Sequence, residues 1–287
     1  MTSAERATDA HLHGEHGVED HDRGLLFDMQ RLVGRRRALA VFGGTALAAL
    51  AGCTANTTGT SSATTASSSA SPAGAAAAGD VDVIPQETAG PYPADGSNGK
   101  NVLSESGVVR SDIRSSFGSS TTTAEGVPLT IRLTLVEADG DTPVEGAAVY
   151  LWHCNRDGQY SMYDRAVADE NYLRGVQVSA ADGTVTFTSV FPACYSGRWP
   201  HIHVEVYTSV DEATAAGQIL STSQLALPED TCSTVYATSG YEQSVSNLSR
   251  VSLTRDNVFG DDGGVSQLAT MTGDVPGGYT AALTVGL

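Results

Sequence analysis

From residue 129 onward, apolar and polar side chains alternate in short runs. The segments LTIRLTLVEA (129–138), AAVYLWHC (147–154), TVTFTSV (184–190), HIHVEVY (201–207) and TAALTVGL (280–287) are rich in β-branched and aromatic residues, and Gly, Asp and Pro separate them. A period of two sends successive side chains to opposite faces, so each run predicts a strand with one face on a core. EADGDTPVEG (137–146) reads as a turn-rich loop, and SAADGTVTF (179–187) carries an Asp-Gly pair of the kind that closes hairpins. Helical periodicity is weak, and its best stretch is YEQSVSNLSRV (241–251). Many short strands joined by turns, without an internal repeat, predict an all-β fold. The expected architecture is a β-sandwich of mainly antiparallel strands with long loops and little helix.

Before residue 80 the pattern changes. Residues 34–53, GRRRALAVFGGTALAALAGC, place an arginine run ahead of a short apolar stretch. That is the layout of a bacterial export signal, and consecutive arginines suggest the twin-arginine route. The apolar part is too short for a comfortable membrane span. Leu50-Ala51-Gly52-Cys53 resembles a lipobox, which would leave Cys53 lipidated at a new N-terminus. Residues 53–79 are Ser, Thr, Ala and Gly with almost nothing else, a composition that cannot bury a core and suits a flexible tether. His11, His13, His16 and His21 lie ahead of the signal and are read as part of a solvated leader, not as a metal site. The expected organisation is a signal over 1–52, a tether over 53–79 and one domain over 80–287. That domain would sit on the outer face of the cell membrane and touch it only through a lipid at Cys53.

Charge narrows the choice of partners. The chain carries 16 Lys and Arg against 33 Asp and Glu, a net charge of −17. Such a surface disfavours nucleic acid and anionic membranes. Three cysteines follow Cys53, namely Cys154, Cys194 and Cys232. Outside the cytoplasm the simple arithmetic is one bridge and one free thiol, with Cys194–Cys232 the favoured pair and Cys154 the alternative partner.

Only three histidines fall in the domain: His153, His201 and His203. On a strand, positions two apart share a face, so His201 and His203 can point at one metal ion while Ile202, Val204 and Val206 face the core. Two surface histidines would give the same pattern. The residues before the pair, FPACYSGRWP (191–200), form a loop in which Tyr195 and Arg198 can fold back toward it. Upstream, a strand ending in Asn-Arg-Asp-Gly returns Tyr160. Spacing alone does not single out these two among the 10 tyrosines of the chain. Trp152 and Trp199 are read as packing and His153 as structural, while Tyr92 and Tyr163 could line a pocket.

Three motifs make the chain resemble the intradiol ring-cleavage dioxygenases. ETAGPY (87–92) is similar to a family segment near the active site, LWHCNRDGQYS (151–161) to its Trp-x-x-Asn-x-x-Gly-x-Tyr, and CYSGRWPHIHVEV (194–206) to its Tyr…Arg-x-x-His-x-His. TSQLALPED (222–230) is similar to a later strand with an active-site glutamine, matched here by Gln224. The resemblance spans roughly 85–287. It implies a non-haem Fe(III) site with Tyr160, Tyr195, His201 and His203 as ligands, and Arg198, Tyr195 and Gln224 in catalysis. The substrates would be a catechol-type diol and O₂, and the product a muconate-type diacid. The donor types fit, since ferric iron is hard and accepts phenolate oxygen and imidazole. A cation of charge three would pull the phenol pKa down from about 10. The helical N-terminal dimerisation region of the family has no counterpart in the sequence, and the oligomeric state is left open.

Two other readings compete. His201, His203 and Glu205 share a strand face, as a ferrous two-His-one-carboxylate oxygenase would require. A sandwich on a lipid tether could also be a ligand-binding lipoprotein without catalysis. A Cu/Zn superoxide dismutase is excluded, because three histidines cannot hold two metals.

Overall fold

The computed structural model describes residues 81–138 and 142–287. The expected export signal, lipobox with Cys53, tether and histidine-rich leader, and residues 139–141, lie outside the described residues. Among the described residues, eight strands form two four-stranded sheets. The strands are β1 (Pro128–Val136), β2 (Ala148–Trp152), β3 (Arg174–Val178), β4 (Thr184–Val190), β5 (His201–Tyr207), β6 (Ile219–Ala226), β7 (Thr270–Asp274) and β8 (Gly278–Gly286). One sheet has the order β4-β1-β8-β7 and the other β3-β2-β5-β6. All neighbours run antiparallel except β1 and β8, which are parallel.

The predicted strands are present, and alternation explains why. Leu129, Ile131, Leu133 and Leu135 of β1 share one buried cluster with Val149 and Leu151 of β2, Phe187 of β4, and Ile202, Val204 and Val206 of β5. Removing each such side chain from water contributes about 1.5–3 kcal/mol. This cluster is the filling of the sandwich. Helix is confined to short pieces: α1 (Val210–Thr214), α2 (Glu229–Tyr236) and α3 (Glu242–Leu248). The expected helix within 241–251 is α3, whereas α1 and α2 carried no helical period to detect.

Two expectations need correction. The Asp182-Gly183 turn does not close a hairpin, because β3 and β4 belong to different sheets and the turn carries the chain from one to the other. Gly183 supplies the left-handed backbone there, with φ of 75°. Second, β2 and β5 are buried along their whole length rather than on one face. Residues from the segment before β1, including Tyr92, Ala94, Val102, Leu103 and Val108, pack over Tyr150, Trp152 and Tyr207. The polar face of β5 is therefore covered, and the histidine pair sits beneath that cover.

Candidate active site

His201 and His203 project from β5 on the face away from the sandwich filling. Their Nε2 atoms lie 3.2 Å apart. His201 Nδ1 faces the Trp199 carbonyl oxygen at 2.5 Å. That contact places its proton on Nδ1 and leaves Nε2 with a lone pair aimed inward. Burial, reinforced by Arg198, pushes the His201 pKa down, and burial followed by the charge of His201 does the same for His203. Both imidazoles are held neutral, which is the form that ligates a metal.

Tyr160 reaches this centre from the turn after β2. Asn155 builds that turn by accepting the N–H of Asp157 at 3.0 Å and of Gln159 at 2.9 Å on its side-chain oxygen. Gly158 closes it with φ of 83°, where a Cβ would stand 3.1 Å from the Tyr195 Cβ. The Asn and Gly of the motif thus serve to bring Tyr160 beside Tyr195. Arg174 of β3, fully buried, then ties this turn to the covering segment. Its Nε and Nη2 donate to Ser161 Oγ and O, and its Nη1 donates to the Pro93 carbonyl oxygen. The Tyr160 hydroxyl ends 3.5 Å from His201 Nε2.

Tyr195 arrives from the other side, in the loop between β4 and β5. Helix α3 holds that loop: Ser244 Oγ accepts the Cys194 N–H at 3.0 Å, and Asn247 Nδ2 donates to the Cys194 carbonyl oxygen at 2.8 Å. The Tyr195 hydroxyl lies 3.2 Å from His201 Nε2. Tyr160 is buried and Tyr195 half-buried. Burial pushes the Tyr160 phenol well above its usual range, so it ionises only beside a cation. All four expected donors converge on one point: two neutral imidazole nitrogens and two phenol oxygens. That set fits ferric iron. Among the described residues, no cluster of three or more His, Cys, Asp and Glu side chains could hold a metal. Glu205, the third member of the ferrous reading, accepts the Tyr207 hydroxyl at 2.8 Å instead of joining the pair.

Arg198 is not a surface side chain. It is 2% exposed and forms a buried ion pair with Asp256, Nε to Oδ2 at 3.0 Å. Its Nη2 donates to Gln224 Oε1 at 2.7 Å, and its Nη1 faces His201 Nε2 at 3.5 Å. Gln224, opposite His203 in the register of β5 and β6, donates to the Thr88 carbonyl oxygen at 2.9 Å. Two carboxylates near Arg198 escaped the sequence reading. Asp256 lies in a turn-rich stretch without strand period. Glu87, in the ETAGPY segment, is pushed up to about 8 by burial and by Asp261. The Tyr92 ring packs at a tilt of 31° against Tyr160, with centroids 4.9 Å apart, and Tyr163 lies beyond it at 5.2 Å. The expected disulfide is not formed. Cys154, Cys194 and Cys232 are buried free thiols, and the Cys194 sulfur contacts the carbonyl oxygens of Tyr195 and Arg198.

A family model described as Dioxygenase matches residues 110–212, a span that contains Tyr160, Tyr195, Arg198, His201 and His203. An intradiol ring-cleavage dioxygenase from Tetranychus urticae has a similar structure, with a TM-score of 0.52 at 27% identity over 63% of this chain and 87% of that one. A further solved dioxygenase gives a TM-score of 0.54 at 26% identity over 71% and 94%. In sequence and in fold the chain is similar to the intradiol ring-cleavage dioxygenases, and these matches support that family. Curated relatives include a chlorocatechol 1,2-dioxygenase of Rhodococcus opacus, 31% identical over 33% of this chain and 44% of that protein. A catechol 1,2-dioxygenase of Acinetobacter lwoffii is 41% identical over 24% of the chain and 22% of its own length. The chain thus matches less than half the length of either curated relative. Gln224 and Asp256 lie beyond the span of the family model, and for Asp256 geometry alone makes the link to the site.

Proposed function

We propose that the domain cleaves a catechol-type diol between its two hydroxyl-bearing carbons, inserting both atoms of O₂ to give a muconate-type diacid. The observation that carries this reading is the convergence of the Tyr160 and Tyr195 hydroxyls and the His203 Nε2 within 3.5 Å of His201 Nε2. These four side chains would hold the metal. Ferric iron, when bound, supplies the Lewis acidity that ionises phenols and makes a catecholate reactive toward O₂.

The remaining steps belong to the protein. Tyr195, the more exposed of the two tyrosines, would take a proton from the incoming diol on its oxygen, once the bound metal had ionised that phenol. Tyr92 and Tyr160 offer aromatic faces along which a flat ring can lie. Arg198, itself buried, presents a fixed guanidinium edge where negative charge would develop on the ring. Gln224 holds that guanidinium from the strand next to β5. Delivery of the domain to the outer face of the membrane through Cys53 completes the proposal, and the signal-like layout of residues 34–53 supports it.

The test is oxygen uptake by the iron-loaded protein against catechol, protocatechuate, hydroxyquinol and larger catechols, with the product identified by mass. One O₂ consumed per diol and a ring-opened diacid are expected. A product opened outside the diol carbons, or no uptake with any diol, would overturn the proposal.

A further inference from the structure

We propose that Asp256 is the positioning residue of the site: its carboxylate clamps the guanidinium of Arg198 so that the Nη1 edge faces the donor cluster. The catalytic consequence rests on the proposed function, but the clamp itself does not. A free arginine side chain has about 2 kcal/mol of rotamer freedom and would present no defined edge. Here two of its nitrogens are held by the scaffold. Nε and Nη2 donate to the two Asp256 oxygens at 3.0 and 3.3 Å, and Nη2 also donates to Gln224 Oε1 at 2.7 Å. A bidentate contact fixes the guanidinium plane as well as its position. Nη1 is left 3.5 Å from His201 Nε2, the atom on which the four donors converge.

Asp256 is itself immobilised. Its side chain is 0% exposed. Beyond Arg198, it accepts the backbone N–H groups of Trp199, Val258 and Phe259 at 2.7, 2.9 and 3.3 Å. The last two contacts cap its own turn, and the Trp199 contact fixes the chain between Arg198 and His201. One carboxylate therefore sets the direction of Arg198 and the path of the backbone into β5. Burial raises the cost of the negative charge, yet Arg198 and the backbone donors bring the Asp256 pKa below its usual range.

Asp256→Asn separates the clamp from the cap of its own turn. The amide oxygen can still accept from Val258 and Phe259, but its N–H₂ group then confronts Arg198 Nε–H and Trp199 N–H. The experiment uses the full-length protein and measures kcat, KM, iron content and the visible spectrum for wild type, Asp256→Asn, Arg198→Lys and the double variant. Misdirecting a catalytic group should lower kcat roughly tenfold to a hundredfold while KM changes by less than about threefold. Iron content and spectrum should stay unchanged, and the double variant should be no worse than the poorer single one. A second readout needs no turnover. In the metal-free protein, the Arg198 Nε–H resonance should exchange slowly with solvent, and at least about tenfold faster in Asp256→Asn, with β5 amides unaffected. Unchanged kcat and exchange in Asp256→Asn would overturn the proposal. So would losses that multiply in the double variant, or losses matched by lost iron. If the amide variant does not fold, Asp256→Glu keeps the charge one methylene out of place and is expected to lower kcat with iron retained; full activity would sink the idea. A wild type inactive on every diol would refute the proposed function alone, because the exchange measurement still decides the clamp.

Discussion

The indole of Trp152 lies parallel to the imidazole of His203, with ring centroids 4.8 Å apart and 6° between the planes. The two residues face each other in the register of β2 and β5, and Tyr150 stacks on Trp152 at 4.9 Å. Neither Trp152 Nε1 nor His203 Nδ1 has a hydrogen-bond partner among the described residues. Packing, not hydrogen bonding, therefore orients this imidazole. Trp152→Ala should cost about 3–5 kcal/mol in urea unfolding and weaken iron retention as well. Stability lost with iron affinity intact would mean that the stack does not orient His203.

Glu87 gives a pH prediction. Burial and the neighbouring Asp261 push its carboxyl up to about 8, against the lowering effect of Arg198. Below that pH it is neutral. Above it, an anion appears within the electrostatic reach of Arg198, so, on the proposed function, kcat/KM for an anionic diol should fall as pH rises through about 8. Glu87→Gln, neutral at every pH, should remove that fall. A profile unchanged by the substitution would assign the limb to another group.

His153 gives a second pH prediction, of opposite sign and on stability. Its ring bridges Ser189 Oγ and the Cys154 carbonyl oxygen, both at 2.7 Å, and burial pushes its pKa down to about 4. The unfolded chain binds the proton near pH 6.5, so the contribution is complete above that pH and is lost as pH falls toward 4. The loss is roughly 3 kcal/mol. In His153→Gln the decline in urea midpoint between pH 7 and pH 4 should be shallower than in wild type; equal declines would contradict this.

The strands of the sandwich and the histidine pair were legible because both follow a period of two. β7, exposed along most of its length, offered no alternation to detect. β3 begins with Arg174 and Gly175, an opening that reads as a turn; its arginine is buried only because Ser161 and Pro93 supply acceptors from distant segments. Tyr160 and Tyr195 were legible through the family pattern, whose Asn155 and Gly158 now have a structural reason. Asp256 was not legible, and Glu87 was legible only as part of the ETAGPY segment. Each is an ordinary carboxylate in a turn-rich stretch, and its burial beside Arg198 depends on contacts far away in sequence.

The thiols test the correction to the cysteine pairing. Cys154, Cys194 and Cys232 are free, and burial pushes the Cys194 thiol up to about 12. A low thiolate fraction together with burial should make all three unreactive in the native protein. Alkylation in denaturant without reductant should label all three. Labelling of only one would restore the disulfide.

The central claim is that Tyr160, Tyr195, His201 and His203 form one ferric site. Titrating metal-free protein with iron, and following visible absorbance, tests it most directly. One equivalent should produce a reddish tyrosinate-to-iron band, and Tyr160→Phe, which keeps its ring packed against Tyr92, should bleach or shift it. Protein that stays colourless on iron loading, or a band unaltered in Tyr160→Phe, would contradict the account.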